Sequence, residues 1–160
     1  NTVGLDGGSG GGVYGGGLFV NDIVALNSAP TGGQGPDVYG TFNSAGNNLI
    51  SATNDSSGFT APGDLVGSSA SPLDPKVGPL ANNGGPTLTM ALLPGSPAID
   101  AGNTLLAPAI DQRGFPRPVG AAADIGAFEY GSVKPTIAVS RSGVTGLNIV
   151  GSGNARQSSR

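Results

Sequence analysis

Glycine and proline are the residues that most constrain this chain. They fill 43 of its 160 positions, 30 glycines and 13 prolines, spread along the whole length. Proline has no amide hydrogen and clashes with the preceding helical turn, and interior glycine weakens a helix by about 1 kcal/mol. The apolar pieces left between them are short, such as residues 23–26 (IVAL) and 92–93 (LL). Disorder at this Gly/Pro content normally goes with high net charge, yet the net charge is only −3. Short strands separated by frequent turns fit best, and 160 residues suffice for one domain with a real core.

The remaining composition narrows the chemistry. There is no cysteine, hence no disulfide framework and no thiolate metal site. There is no histidine either, which removes the commonest general base and metal ligand. A pI near 4.5 supplies no basic stripe for nucleic acid. No apolar run approaches the ~20 residues of a membrane span. The chain opens inside a Gly-rich pattern and reads as a piece of something longer.

Residues 7–17 carry two glycine runs, read as a linker or as the tight corners of a solenoid. A calcium-binding nonapeptide needs Asp where Gly12 stands, so a calcium roll is excluded. Residues 18–29 (LFVNDIVALNSA) read as a strand with Val20, Ile23 and Leu26 facing inward. Residues 37–42 and 47–51 read as two more, with Leu26 and Leu49 about one solenoid turn apart. The flanking asparagines suit side-chain ladders between coils, or plain turns. Residues 52–72 read as a long excursion, with a glycosylation triplet at Asn54-Asp55-Ser56. Turn dipeptides crowd residues 73–103, leaving at most one helical turn at 88–93. Residues 134–140 and 144–150 alternate around Arg141-Ser142-Gly143 as a hairpin, and the polar tail after them reads as frayed.

Residues 78–103 (GPLANNGGPTLTMALLPGSPAIDAGN), then 111–118 (DQRGFPRP) and 124–130 (DIGAFEY), closely resemble the C-terminal end of bacterial secreted right-handed parallel β-helix proteins. These are the choice-of-anchor Q, or polymorphic outer-membrane-protein-like, proteins. The resemblance covers about residues 13–130 and implies terminal coils with a Pro/Gly-rich cap, an extracellular or cell-surface location, and no catalysis. Some relatives are labelled pectate lyases by fold analogy, which is a weak warrant. Two units follow: 1–130, coils and cap, and 131–160, a β-rich tail or the start of a truncated second module. A solenoid cut this way exposes a sheet edge that invites another chain.

Charge and aromatics gather in residues 111–130, which hold Asp111, Arg113, Phe115, Arg117, Asp124, Phe128, Tyr130 and the only glutamate, Glu129. Asp100, Asp111 and Asp124 with Arg113 and Arg117 are the residue types of a β-helix lyase, which uses carboxylates for calcium and a basic group for proton abstraction. Their spacing does not place them on directly stacked strands. The structural reading has the arginines bonding carboxylates and open carbonyls at the last coil, while Phe115, Phe128 and Tyr130 plug the apolar bore. Serine nucleophiles lack a histidine to activate them, and the glycine runs lack the lysine and helix of a phosphate loop. Tyr14, Tyr39 and Phe42 offer sugar-stacking faces or ordinary packing. The expectation is a non-enzymatic structural or adhesive protein without cofactor or metal, self-assembling into a filament through open ends. The alternative is a polysaccharide-active or glycan-binding β-helix. Expected partners are neighbouring coils or a cell-surface glycan, not nucleic acid or a membrane.

Overall fold

The computed structural model describes residues 9–29, 33–54, 56–141 and 147–152. Among them the chain is all-β, with no helix and several parallel sheets. Three short strands, β1 (Val13–Gly15), β2 (Leu18–Phe19) and β3 (Ile23–Val24), form a first layer. Above it lies a second, of β4 (Val38–Thr41), β5 (Asn43–Ser44) and β6 (Leu49–Ile50). The third layer has β7 (Ser56–Ser57) and β8 (Leu65–Val66). Every pairing between layers is parallel, in the orders β1-β4-β7, β2-β5 and β3-β6-β8. Val13 pairs with Val38, Leu18 with Asn43, and Ile23 with Leu49, which itself pairs with Leu65.

Side-chain alternation divides the apolar residues between two cores. Val24, Ile50 and Val38 point between the sheets and enclose Phe42 and Phe59, with Phe19 and Val13 packed alongside. The three phenylalanines form one mutual cluster, Phe19 lying edge-on 5.4 Å from both Phe42 and Phe59, which are themselves 5.2 Å apart and tilted by 30°. Ile23, Leu49 and Leu65 project the other way and meet Leu92, Ala98, Ile125 and Phe128 of the C-terminal half. Removing a side chain such as the fully buried Leu49 from water contributes roughly 1.5–3 kcal/mol.

Glycine is required where layers touch. Gly40 has φ 141°, and a Cβ on it would lie 1.9 Å from the carbonyl oxygen of Gly15 in the layer below. At Gly58 the clash would be with the carbonyl oxygen of Phe42, at 1.8 Å.

After the third layer, β9 (Val77–Ala81) and β10 (Thr89–Leu92) pair antiparallel, with a register shift between Met90 and Leu92. Residues 98–130 run beside the layers as bends and turns. They are tied to the layers by the Asn21 and Asn47 amides, which donate to the carbonyls of Asn103 and Ala101. Finally β11 (Thr136–Arg141) pairs antiparallel with β12 (Leu147–Ser152). The turn between them, like the glycines before residue 9, lies outside the described residues.

Four sequence expectations need correction. Residues 18–29 are two strands with a corner at Asn21: Val24 faces the core between the sheets, Ile23 packs against the second core on the opposite face, and Leu26 is 63% exposed at φ 62°. The layer register joins Ile23, not Leu26, to Leu49. Residues 52–72 are not an excursion, because they carry β7, β8 and the buried Phe59. Within residues 88–93, Thr89–Leu92 form strand β10 rather than a helical turn, paired antiparallel with β9.

Candidate functional site

Two polar lattices stand out from the apolar packing. The first runs across the layers at the corner preceding β3, β6 and β8. Asn21 and Asn47 occupy the left-handed region at φ 56° and 57°, and Gly63 occupies the same place in the third layer at φ 81°. Asparagine tolerates that conformation better than most side chains. A Cβ on Gly63 would lie 2.5 Å from the Asn47 amide nitrogen, so any larger residue there would displace the Asn47 side chain from its bond to the Ala101 carbonyl. The next residues form a ladder. The Asp22 amide donates to Asn48 Oδ1 at 3.0 Å, and the Asn48 amide donates to Asp64 Oδ1 at 3.1 Å. Asn48 is fully buried, and its Nδ2 also bonds Asp64 Oδ1, Ser44 Oγ and the Phe19 carbonyl. Each layer thus receives a backbone donor from the one before it. Burial pushes the Asp22 carboxyl above the ordinary range, against the opposing bond from the Val20 amide.

The second lattice is the charged cluster of residues 111–130. Arg113 is buried and planar-stacked, its guanidinium carbon 3.6 Å from the Phe128 ring centre and 4.4 Å from that of Phe115. Its Nε and Nη2 reach Asp111 Oδ2 at 2.8 and 2.7 Å, and Nη2 also donates to the Glu129 carbonyl at 2.7 Å. Asp111 Oδ1 accepts the amides of Arg113 and Phe115, while Oδ2 accepts that of Glu129. Burial raises the Asp111 pKa, but these amides and the guanidinium outweigh it, and the carboxyl ends below the ordinary range.

Glu129 is fully buried and holds the neighbouring turn, accepting the Val119 amide on Oε1 and the Asp124 amide on Oε2. Arg117 Nε lies 3.2 Å from Glu129 Oε2. Its Nε and Nη2 are buried without an aligned hydrogen bond, so this is a charge contact rather than a directed pair. Asp124, also fully buried, accepts the amides of Asp100 and Tyr130. Burial pushes both Glu129 and Asp124 upward, more than their amide bonds and Arg117 lower them. Asp100 Oδ1 in turn accepts the amides of Ala121 and Ala122.

The seven residues singled out from the sequence therefore lie in one neighbourhood, but not all as expected. Phe115 and Phe128 close over Arg113, and Tyr130 is 38% exposed. None of the three plugs the interior between the sheets, which is filled by Phe42, Phe59 and the valines and isoleucine around them. The reason is chemical: a desolvated guanidinium needs faces to stack on, and the Phe19–Phe42–Phe59 cluster already occupies the interior. Sequence reasoning underrated Glu129, which with Asp124 is fully buried. Its signal was its uniqueness in the chain and its place between two aromatic residues. The Asp22–Asn48–Asp64 ladder was missed as a unit, because its rungs are 26 and then 16 residues apart and show no fixed period.

Chemically the cluster is a backbone-tying lattice. A cleft of about 840 Å³ does reach Asp111 and Arg117, though not Arg113. Asp111 is a poor base there, since its oxygens are occupied and its pKa is depressed. No grouping of three or more acidic side chains suited to a metal occurs among the described residues. No helix among them is long and apolar enough to cross a membrane. Comparison with known proteins finds no matching family model, curated protein or solved structure.

Proposed function

We propose that this chain is a non-catalytic structural element: the stacked layers are coils of a right-handed parallel β-helix, and residues 98–130 cap their flank. The observation that carries this reading is the continuous polar ladder Asp22–Asn48–Asp64 running across all three parallel-paired layers, beside the cluster of Phe19, Phe42 and Phe59. Such stacking gives a rigid, additive rod whose ends present unpaired strands. The carboxylates of the cap are committed to backbone amides, which suits load-bearing better than proton transfer. The setting that fits is the cell surface or the extracellular space, in adhesion or assembly, with neighbouring coils or a surface glycan as partner. Electron microscopy of the purified chain, with light scattering over a hundredfold concentration range, tests assembly. Rods or filaments that lengthen with concentration are expected. A strictly monomeric particle at every concentration would refute it.

One observation favours a glycan-binding alternative. Tyr14, 70% exposed, stacks on Tyr39 of the next layer with centroids 5.8 Å apart and planes 18° from parallel. Exposed flat rings suit the apolar faces of sugars. Glycan retention lost on Tyr14→Ala, in an otherwise unchanged fold, would favour this second reading.

A further inference from the structure

The chain holds one asparagine followed directly by glycine, Asn83-Gly84, and it lies in the loop between β9 and β10. Such a pair is labile in a flexible chain, because glycine has no side chain to shield its amide nitrogen from the asparagine Cγ. Both glycines of this loop are dictated by backbone and packing. Gly84 sits at φ 98°, and a Cβ on it would lie 3.1 Å from the Phe115 ring. A Cβ on Gly85 would lie 2.6 Å from Arg113 Cα, inside contact distance. Seating the loop on the Arg113 cluster therefore writes a reactive pair into the sequence.

The same fold holds both reactants of that pair in hydrogen bonds. The Gly84 amide donates to Asn82 Oδ1 at 3.0 Å, which opposes the loss of the proton that would make it a nucleophile. Asn83 Nδ2, the leaving group, donates to the carbonyl and Oγ1 of the buried Thr89 at 2.8 and 3.1 Å. The rest of the loop is tied down as well. Gln112 Nε2 donates to Thr87 Oγ1 at 2.8 Å, and Arg113 Nη1 makes a longer contact of 3.5 Å to the Asn83 carbonyl. Ring closure needs rotation of the Asn83 side chain and of its link to Gly84, so these contacts must break first.

We infer, independently of how the layers are read, that Asn83 is a conformation-gated deamidation site, closed while the loop rests on the Arg113 cluster and open once it lifts. In the open loop the Gly84 nitrogen, its proton taken by hydroxide, attacks Asn83 Cγ. The N–Cγ bond forms, the Cγ–Nδ2 bond breaks, and ammonia leaves with a proton from water. Water then opens the cyclic imide at either carbonyl, giving aspartate or isoaspartate, with no change of oxidation state. Each product removes the donor to Thr89 and leaves a carboxylate in the loop. Isoaspartate also adds a methylene to a main chain whose glycines already touch Arg113 and Phe115. A reversible opening thereby becomes permanent.

The test incubates the full chain, folded or unfolded in guanidinium chloride, in mildly alkaline buffer. Peptide-mapping mass spectrometry and isoaspartyl methyltransferase labelling follow each asparagine over time. In the unfolded chain Asn83 is expected to convert before any other asparagine. In the folded chain it converts roughly a hundredfold more slowly, because the reaction tracks the fraction of open loop. Asn82→Ala, at an exposed position, frees the Gly84 amide and raises the folded rate about tenfold, the scale of one hydrogen bond. Arg113→Ala moves the rate toward that of the unfolded chain. Purified, refolded product melts below the parent. The inference is overturned if folded and unfolded chains convert Asn83 equally fast, or if Asn82→Ala, shown folded by circular dichroism, converts no faster than the parent. Equal melting of product and parent would refute the permanent opening.

Discussion

Replacing Arg113 by alanine tests whether the charged cluster holds the C-terminal half together. The side chain makes two bonds to Asp111 Oδ2 and one to the Glu129 carbonyl, with a longer contact of 3.5 Å to the Asn83 carbonyl. It also stacks on two phenylalanine rings. Its loss strands a buried carboxylate, a change that costs about 3–5 kcal/mol, and the net charge drops by one unit where no water can screen it. For a chain of this size that lowers Tm by roughly 6–20 °C. Asp111 itself provides an internal check. Its folded pKa lies below the ordinary value, so its contribution is present above about pH 4 and disappears as pH falls through the folded pKa. The difference between parent and Arg113→Ala should therefore be largest at neutral pH and shrink in acid. Urea unfolding followed by circular dichroism at a series of pH values measures it. A neutral-pH loss below about 1 kcal/mol, or one independent of pH, would refute a structural role for the pair. Arg113→Lys should recover only part of the loss, because an ammonium cannot make the forked contact.

Other outcomes follow from the same geometry. Gly40→Ala should be severely destabilising, as φ 141° and a contact of 1.9 Å to the Gly15 carbonyl act together, whereas Gly114→Ala, at φ 80° with open space, should cost only about 1–2 kcal/mol; chemical denaturation separates them. Asn48→Ala should cost about 1–3 kcal/mol by depriving the Asp22 amide of its acceptor and the Phe19 carbonyl, Ser44 Oγ and Asp64 Oδ1 of a donor, while Asn48→Asp should cost more by facing Asp64 Oδ1 and be rescued by Asp64→Asn, a coupling readable from a double-mutant cycle. Glu129, Asp124 and Asp22 all have raised folded pKa values, so acidification from neutral first relieves the cost of keeping them ionised, before loss of Asp111 reverses the trend. The melting temperature should therefore peak on the acid side of neutral, and a monotonic fall from pH 7 would contradict these assignments.

Much of the architecture was legible because its cause is local. Proline and glycine at this density leave only strands and turns, and the described residues contain no helix. The asparagines at 21 and 47 could be read as corner residues, because their tolerance of positive φ is intrinsic to the side chain. The cluster around Arg113 was visible as the one place where charge and aromatic residues coincide. What stayed hidden depended on register. Leu26 and Ile23 are equally hydrophobic, and only the partner strand decides that Ile23 pairs with Leu49 while Leu26 turns to solvent. The third layer escaped notice because β7 is two serines, held by neighbours rather than by propensity, as in the bond from Ser56 Oγ to the Val38 carbonyl.

The sequence by itself determined the class of structure, since backbone conformation at glycine, proline and asparagine is a property of each residue. Only the tertiary structure decided what the charged residues do. Asp111, Asp124 and Glu129 are similar carboxylates in sequence, yet one is pushed below and two above their ordinary pKa ranges. That difference comes from which amides and guanidinium groups the fold brings to each oxygen, and from how completely it removes water.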